Sequence, residues 1–101
     1  MAAISLKKLQ NGDFALEGDL SFATVSNLWR EGLEAFSQSQ QLTLDLSGIT
    51  RSDSAGLTLL VEWLRYAQGE RKQLTYLNMP HQMLAIARVS GLDGILPLDN
   101  S

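Results

Sequence analysis

The chain has 101 residues, 45% of them hydrophobic and 19% charged, the size of a single globular domain with one core spanning 1–101 and no room for a second. Eight Lys and Arg against 11 Asp and Glu give a net charge of −3, and Lys7-Lys8 and Arg71-Lys72 are pairs rather than patches, so general affinity for nucleic acid or an anionic membrane is not expected. Without cysteine there is no disulfide framework, no thiolate metal site and no thiol redox chemistry.

The start, Met1 to Lys8, has no apolar h-region, and the most apolar window, Ala55 to Leu64, is interrupted by Glu62 and falls far short of the ~20 residues a membrane span needs. These features predict a cytoplasmic protein. Ile4, Leu6 and Leu9 lead into Gln10-Asn11-Gly12-Asp13, and Phe14 to Gly18 follows with partial alternation, which predicts a β-hairpin around an Asn-Gly turn. From Ser21, a plausible N-cap, Phe22, Val25, Trp29, Gly32, Leu33 and Phe36 recur at helical spacing until the polar cluster at 37–40.

Leu42, Leu44 and Leu46 alternate with Thr43 and Asp45, predicting a short strand that ends before Ser47-Gly48. A second helix is predicted from Ser54 to Gln68, with Gly69 as its stop. Leu74 to Leu77 reads as a strand, and Pro80 opens a third helix ending near Gly91. Ile95 and Leu96 suit a short final strand that Pro97 would stop, leaving 99–101 as a loose tail. The order β-β-α-β-α-β-α, with a last β, predicts an α/β fold: a small mixed sheet with right-handed crossovers and helices packed on it.

At 100° per residue, Leu57, Leu60, Val61 and Leu64 form the core stripe of the second helix. Ser54, Thr58, Glu62 and Arg65 form a polar strip, and Ala55, Leu59, Trp63 and Tyr66 make a second apolar arc beyond it. That arc is either covered by neighbouring elements or open as a docking face, and aromatic residues beside small hydroxyls suit an interface core. The open reading makes Ser54, Thr58, Leu59, Glu62 and Trp63 the partner-binding residues.

Enzymatic chemistry finds little footing. Ser52-Asp53-Ser54-Ala55-Gly56 approaches the Gly-x-Ser-x-Gly elbow, but the first glycine is absent, the predicted strand ends well before Ser54, and His81 is the one histidine. Asp53 before a helix serves as cap and dipole partner rather than as one of two catalytic carboxylates with Asp45. No phosphate loop or dinucleotide fingerprint occurs, His81 has no second ligand nearby, and neither a metal nor a cofactor is expected.

A strand ending Asp45-Leu46-Ser47, a connection, then Asp53-Ser54-Ala55-Gly56-Leu57 opening an apolar helix resembles the STAS domain of sulphate transporters and anti-sigma-factor antagonists. The resemblance covers nearly the whole chain and implies a small mixed sheet with helices on one side and no catalytic activity. It extends to Leu16 through Leu20 entering a helix with Leu28-Trp29, and to Leu84-Ala85-Ile86-Ala87-Arg88. Ala55 departs from the Gly or Ser often found there. These points are similar to the free-standing STAS subunits that bind the ATPase of a phospholipid-transporting ABC complex and maintain outer-membrane lipid asymmetry, which implies peripheral association with the inner membrane through that complex. In the antagonist branch, the position of Ser54 is phosphorylated by an anti-sigma kinase, and the resemblance implies that alternative partner and modification here.

Overall fold

The structure, a computed structural model, describes residues 3–99. It contains β1 (Ile4–Lys8), β2 (Asp13–Leu20), α1 (Val25–Phe36), β3 (Gln41–Ser52), α2 (Ser54–Gly69), β4 (Gln73–Leu77), α3 (His81–Val89) and β5 (Leu98–Asp99). The hairpin forms as the sequence predicts: β1 and β2 are antiparallel, and Asn11 and Gly12 both take positive φ (47° and 94°) while the Asp13 amide donates to the Gln10 carbonyl at 2.8 Å. Positive φ at both central residues is what a tight two-residue turn requires.

From β2 onward every pairing is parallel, and the sheet order follows the chain, β1-β2-β3-β4-β5. Successive right-handed crossovers that step in one direction place all three helices on one face. That face buries Phe14, Leu16 and Leu20 of β2, Leu42, Leu44 and Leu46 of β3, and Leu74 and Tyr76 of β4. The alternate residues, among them Glu17, Thr43, Asp45 and Thr75, lie on the other face, where Lys7 and Glu17 pair across strands at 3.0 Å.

Several boundaries differ from the sequence reading. β3 does not stop at Leu46. The register against β2 shifts twice, between Ala15 and Glu17 and between Gly18 and Asp19, so β3 carries extra residues as bulges that erase the alternation while pairing continues to Ser52. Ser21 is not the cap of α1. Residues 21–24 close on themselves, with the Thr24 amide donating to the Ser21 carbonyl at 2.9 Å and the Thr24 hydroxyl donating to the Asp19 carbonyl at 2.8 Å, and the helix starts at Val25.

Gly69 is the last residue of α2 rather than its stop, and the left-handed turn falls on Arg71 (φ 57°). The final strand follows Pro97 instead of preceding it: proline lacks a donor but lends its carbonyl to the Tyr76 amide at 2.9 Å, and Leu98 and Asp99 then pair. Asn100 and Ser101 of the expected tail lie outside the described residues.

The second apolar arc of α2 is closed. Trp63 has no exposed surface and Leu59 is 5% exposed, because α1 packs alongside α2 on the same face of the sheet. The approach depends on Gly32 of α1, where a Cβ would stand 2.5 Å from Trp63 Cζ2. The Trp63 ring packs edge-on against Phe36 with centroids 5.1 Å apart, and Phe36 packs likewise on Phe14, an arrangement aromatic quadrupoles favour. Tyr66 remains half-buried.

Candidate protein-docking site

β3 delivers the chain to the start of α2 with one residue between them. That residue, Asp53, is extended (φ −142°, ψ −173°). Its Oδ1 accepts from the amides of Ala55 at 2.9 Å and Gly56 at 3.1 Å, and its Oδ2 accepts from the Phe22 amide at 3.1 Å. One carboxylate therefore caps the helix, meets its positive end and ties down the loop before α1. Gly56 follows from the same packing, since a Cβ there would collide with the Leu20 carbonyl oxygen. The helix start is pressed against the end of β2.

Ser54, the first residue of α2, is exposed, and its hydroxyl has no partner among the described residues. Thr58 stands one turn further, its hydroxyl donating to the Ser54 carbonyl at 2.9 Å. Beside them runs an open groove of about 690 Å³ between α1 and α2, walled by Val25, Ser26 and Trp29 on one side and Ala55, Thr58, Leu59 and Glu62 on the other. The α2 residues are spaced i, i+3, i+4 and i+7, one stripe of the helix. Trp29 is half-buried, and Glu62 holds Arg65 loosely at 3.8 Å.

The predicted contact set is thus divided. Thr58, Leu59 and Glu62 line the groove and Ser54 adjoins it, but Leu59 is buried in its floor rather than standing out. Trp63 is no surface residue at all; its ring is enclosed by Gly32 and Phe36, and its Nε1 donates weakly to the Trp29 carbonyl at 3.5 Å. The sequence reading missed Trp29 and Val25 as groove walls and Phe22 as an exposed ring (81%). A signal existed: Leu28 and Trp29 are neighbours 100° apart on the helix, so both cannot face the centre of the core, and Leu28 takes that place.

The apparent elbow also changes its shape. β3 ends at Ser52, so Ser54 lies much closer to a strand end than predicted. Even so, the Asp53 oxygens are occupied by backbone amides, and no hydrogen bond joins His81 to Ser54. Asp45 plays a separate part, because its Oδ1 accepts from the Ser47 amide at 2.9 Å and from Asn78 Nδ2 at 3.1 Å, stabilising the bulge. The Ser47 amide holds its carboxyl below the ordinary value of 3.8, against the opposing pull of partial burial and with help from Asn78. Asp19 Oδ1 is buried without a hydrogen-bond partner. Among the described residues no cluster of three or more His, Asp or Glu is placed to hold a metal, and no helix is long and apolar enough to cross a membrane.

The profile of the family described as "Mlab, STAS domain" matches residues 7–97. The chain belongs to this MlaB-type STAS family. No curated protein matches it. Among solved structures, it is similar to the phosphorylated form of the cell fate determinant SpoIIAA of Bacillus, with 17% identity, TM-score 0.72, and coverage of 98% of this chain and 91% of that one. It is also similar to an anti-sigma factor antagonist from Mycobacterium paratuberculosis, with 18% identity, TM-score 0.76, and coverage of 98% and 87%. SLC26A9 shares 19% identity at TM-score 0.62, matching 89% of this chain and 18% of that one. Likeness at these identities establishes a common STAS fold.

Proposed function

We propose that this chain acts as a single, non-enzymatic cytoplasmic STAS domain that docks onto the ATPase of a phospholipid-transporting ABC complex, supports that ATPase, and so serves outer-membrane lipid asymmetry. It reaches the inner membrane through the complex and inserts no segment of its own. The observation that carries this reading is the α1/α2 groove, mostly apolar, walled by Trp29 and adjoining an exposed Ser54. Such a concave apolar surface with a polar edge suits the side chains of a protein partner, and tryptophan is frequent among residues that dominate binding energy. Membership of the MlaB-type family supports the choice of partner.

The experiment is capture of the ATPase from detergent-solubilised membranes, followed by affinity measurement with the purified subunit. Trp29→Ala and Ser54→Glu each weaken binding by about 1–3 kcal/mol, through loss of a wall of the groove or burial of an unpaired charge. Recovery of no ATPase by the wild-type chain refutes the reading. A second reading, an anti-sigma-factor antagonist switched by phosphorylation of Ser54, is favoured by one observation: that hydroxyl is exposed and unpartnered at a helix start. A phosphate there adds about −1.5 to −2 charges beside the groove. Intact mass of the protein from its native host, showing no form heavier by one phosphate in any growth condition, removes this alternative.

A further inference from the structure

The loop before α1 carries a feature that neither core packing nor the groove accounts for. Phe22 is 81% exposed, yet its backbone is held tightly: its amide donates to Asp53 Oδ2 at 3.1 Å, the Thr24 hydroxyl donates to the Asp19 carbonyl at 2.8 Å, and the Thr24 and Val25 amides both donate to the Ser21 carbonyl. An aromatic ring in water on a fixed backbone is a partly preorganised anchor, since little backbone ordering entropy remains to be lost on contact.

We propose that Phe22 inserts into an apolar cleft of the same protein partner that fills the α1/α2 groove, making the 21–24 loop a second part of one interface; this rests on the docking reading above. Continuity supports it. Val25, one turn after Phe22, lines the groove, and Asp53, which holds the Phe22 amide, directly precedes Ser54 and Ala55. A polar depression of about 390 Å³, with Ser21, Ser52, Asp19, Asp53 and Arg51 in its wall, borders the ring and supplies the polar rim of an interface. Two carboxylates against one guanidinium make that rim net negative, which favours a protein surface over an anionic bilayer.

The test uses the whole chain and the purified ATPase. Phe22→Ser weakens binding at least tenfold, mainly by faster dissociation, while the thermal melt of the free variant stays at the wild-type temperature because the ring packs on little. Phe22→Leu falls between. Unchanged affinity for Phe22→Ser, with Trp29→Ala still impaired, overturns this inference and leaves the groove reading intact; a wild-type chain that binds no ATPase removes both. Sedimentation of the free protein tests the other occupant: a wild-type dimer abolished by Phe22→Ser overturns the proposal in favour of a second copy. Binding of the wild-type chain to phosphatidylethanolamine–phosphatidylglycerol vesicles, lost in Phe22→Ser, likewise overturns it in favour of lipid.

Discussion

Replacing Trp63 by alanine separates a core tryptophan from a contact tryptophan more sharply than any other single change. The ring has no exposed surface, so truncation removes its full transfer free energy and leaves a void between Gly32 and Phe36. Aromatic-to-alanine truncation in cores costs about 3–5 kcal/mol, and the edge-on contact with Phe36, at 5.1 Å between centroids, adds roughly 0.5–1.5 kcal/mol beyond area burial. The donor bond from Nε1, at 3.5 Å, is too long to add much. A loss of about 4 kcal/mol is a large part of the roughly 5–15 kcal/mol that a domain of this size possesses. At roughly 4–8 °C per kcal/mol, the melting temperature falls by about 15–30 °C. Urea unfolding followed by far-ultraviolet circular dichroism measures this, with Trp63→Phe as the intermediate that refills part of the void. A stability loss below about 1 kcal/mol, together with lost partner binding, would place the ring at the surface and refute the enclosed packing between α1 and α2.

Two further changes test the helix start and the bulge. Asp53→Ala removes the acceptor of two helix amides and of the Phe22 amide, so it destabilises by about 1–2 kcal/mol, within the range of N-cap losses, and Asp53→Asn, which keeps one acceptor oxygen, loses less; denaturant melts at neutral pH rank the three. The Asp45 carboxyl, lowered first by the Ser47 amide, contributes stability that is present above its ordinary value and is lost as pH falls through the lower folded value. Melts between about pH 5 and 2 therefore show a shallower acid limb for Asp45→Asn than for the wild type, and identical limbs would show that the Asx turn at the bulge carries no charge-dependent stability.

The sheet and its three helices were legible because hydrophobic periodicity is strong where one face alone is buried: Leu42, Leu44 and Leu46 alternate because Thr43 and Asp45 look away from the helices. Legibility failed where a second rule overrode the period. After Leu46 the bulges add residues without breaking the pairing, and Ser47-Gly48, good turn chemistry, sits inside a strand. At α1 the hydroxyl of Thr24, not of Ser21, organises the entry, and it does so by bonding backward to Asp19, a contact invisible in local spacing.

The candidate site was legible only in part, and Trp63 was misplaced, because the broad apolar circumference of α2 admits two explanations that periodicity cannot separate: an open docking arc, or a helix enclosed on two sides. Gly32 separates them. A glycine in the middle of a helix costs about 1 kcal/mol relative to alanine, and it is retained where another element must come close. Its counterpart must be large and flat, and on α2 that is Trp63, whose Cζ2 lies 2.5 Å from where a Cβ would be. Once Gly32 and Trp63 are spent on each other, the helix aromatic left beside the groove is Trp29 of α1, turned about 100° from Leu28's inward face. The candidate docking surface is therefore displaced from the back of α2 to the seam it makes with α1, where Trp29 stands opposite Ala55 and Thr58, next to the serine at the helix start.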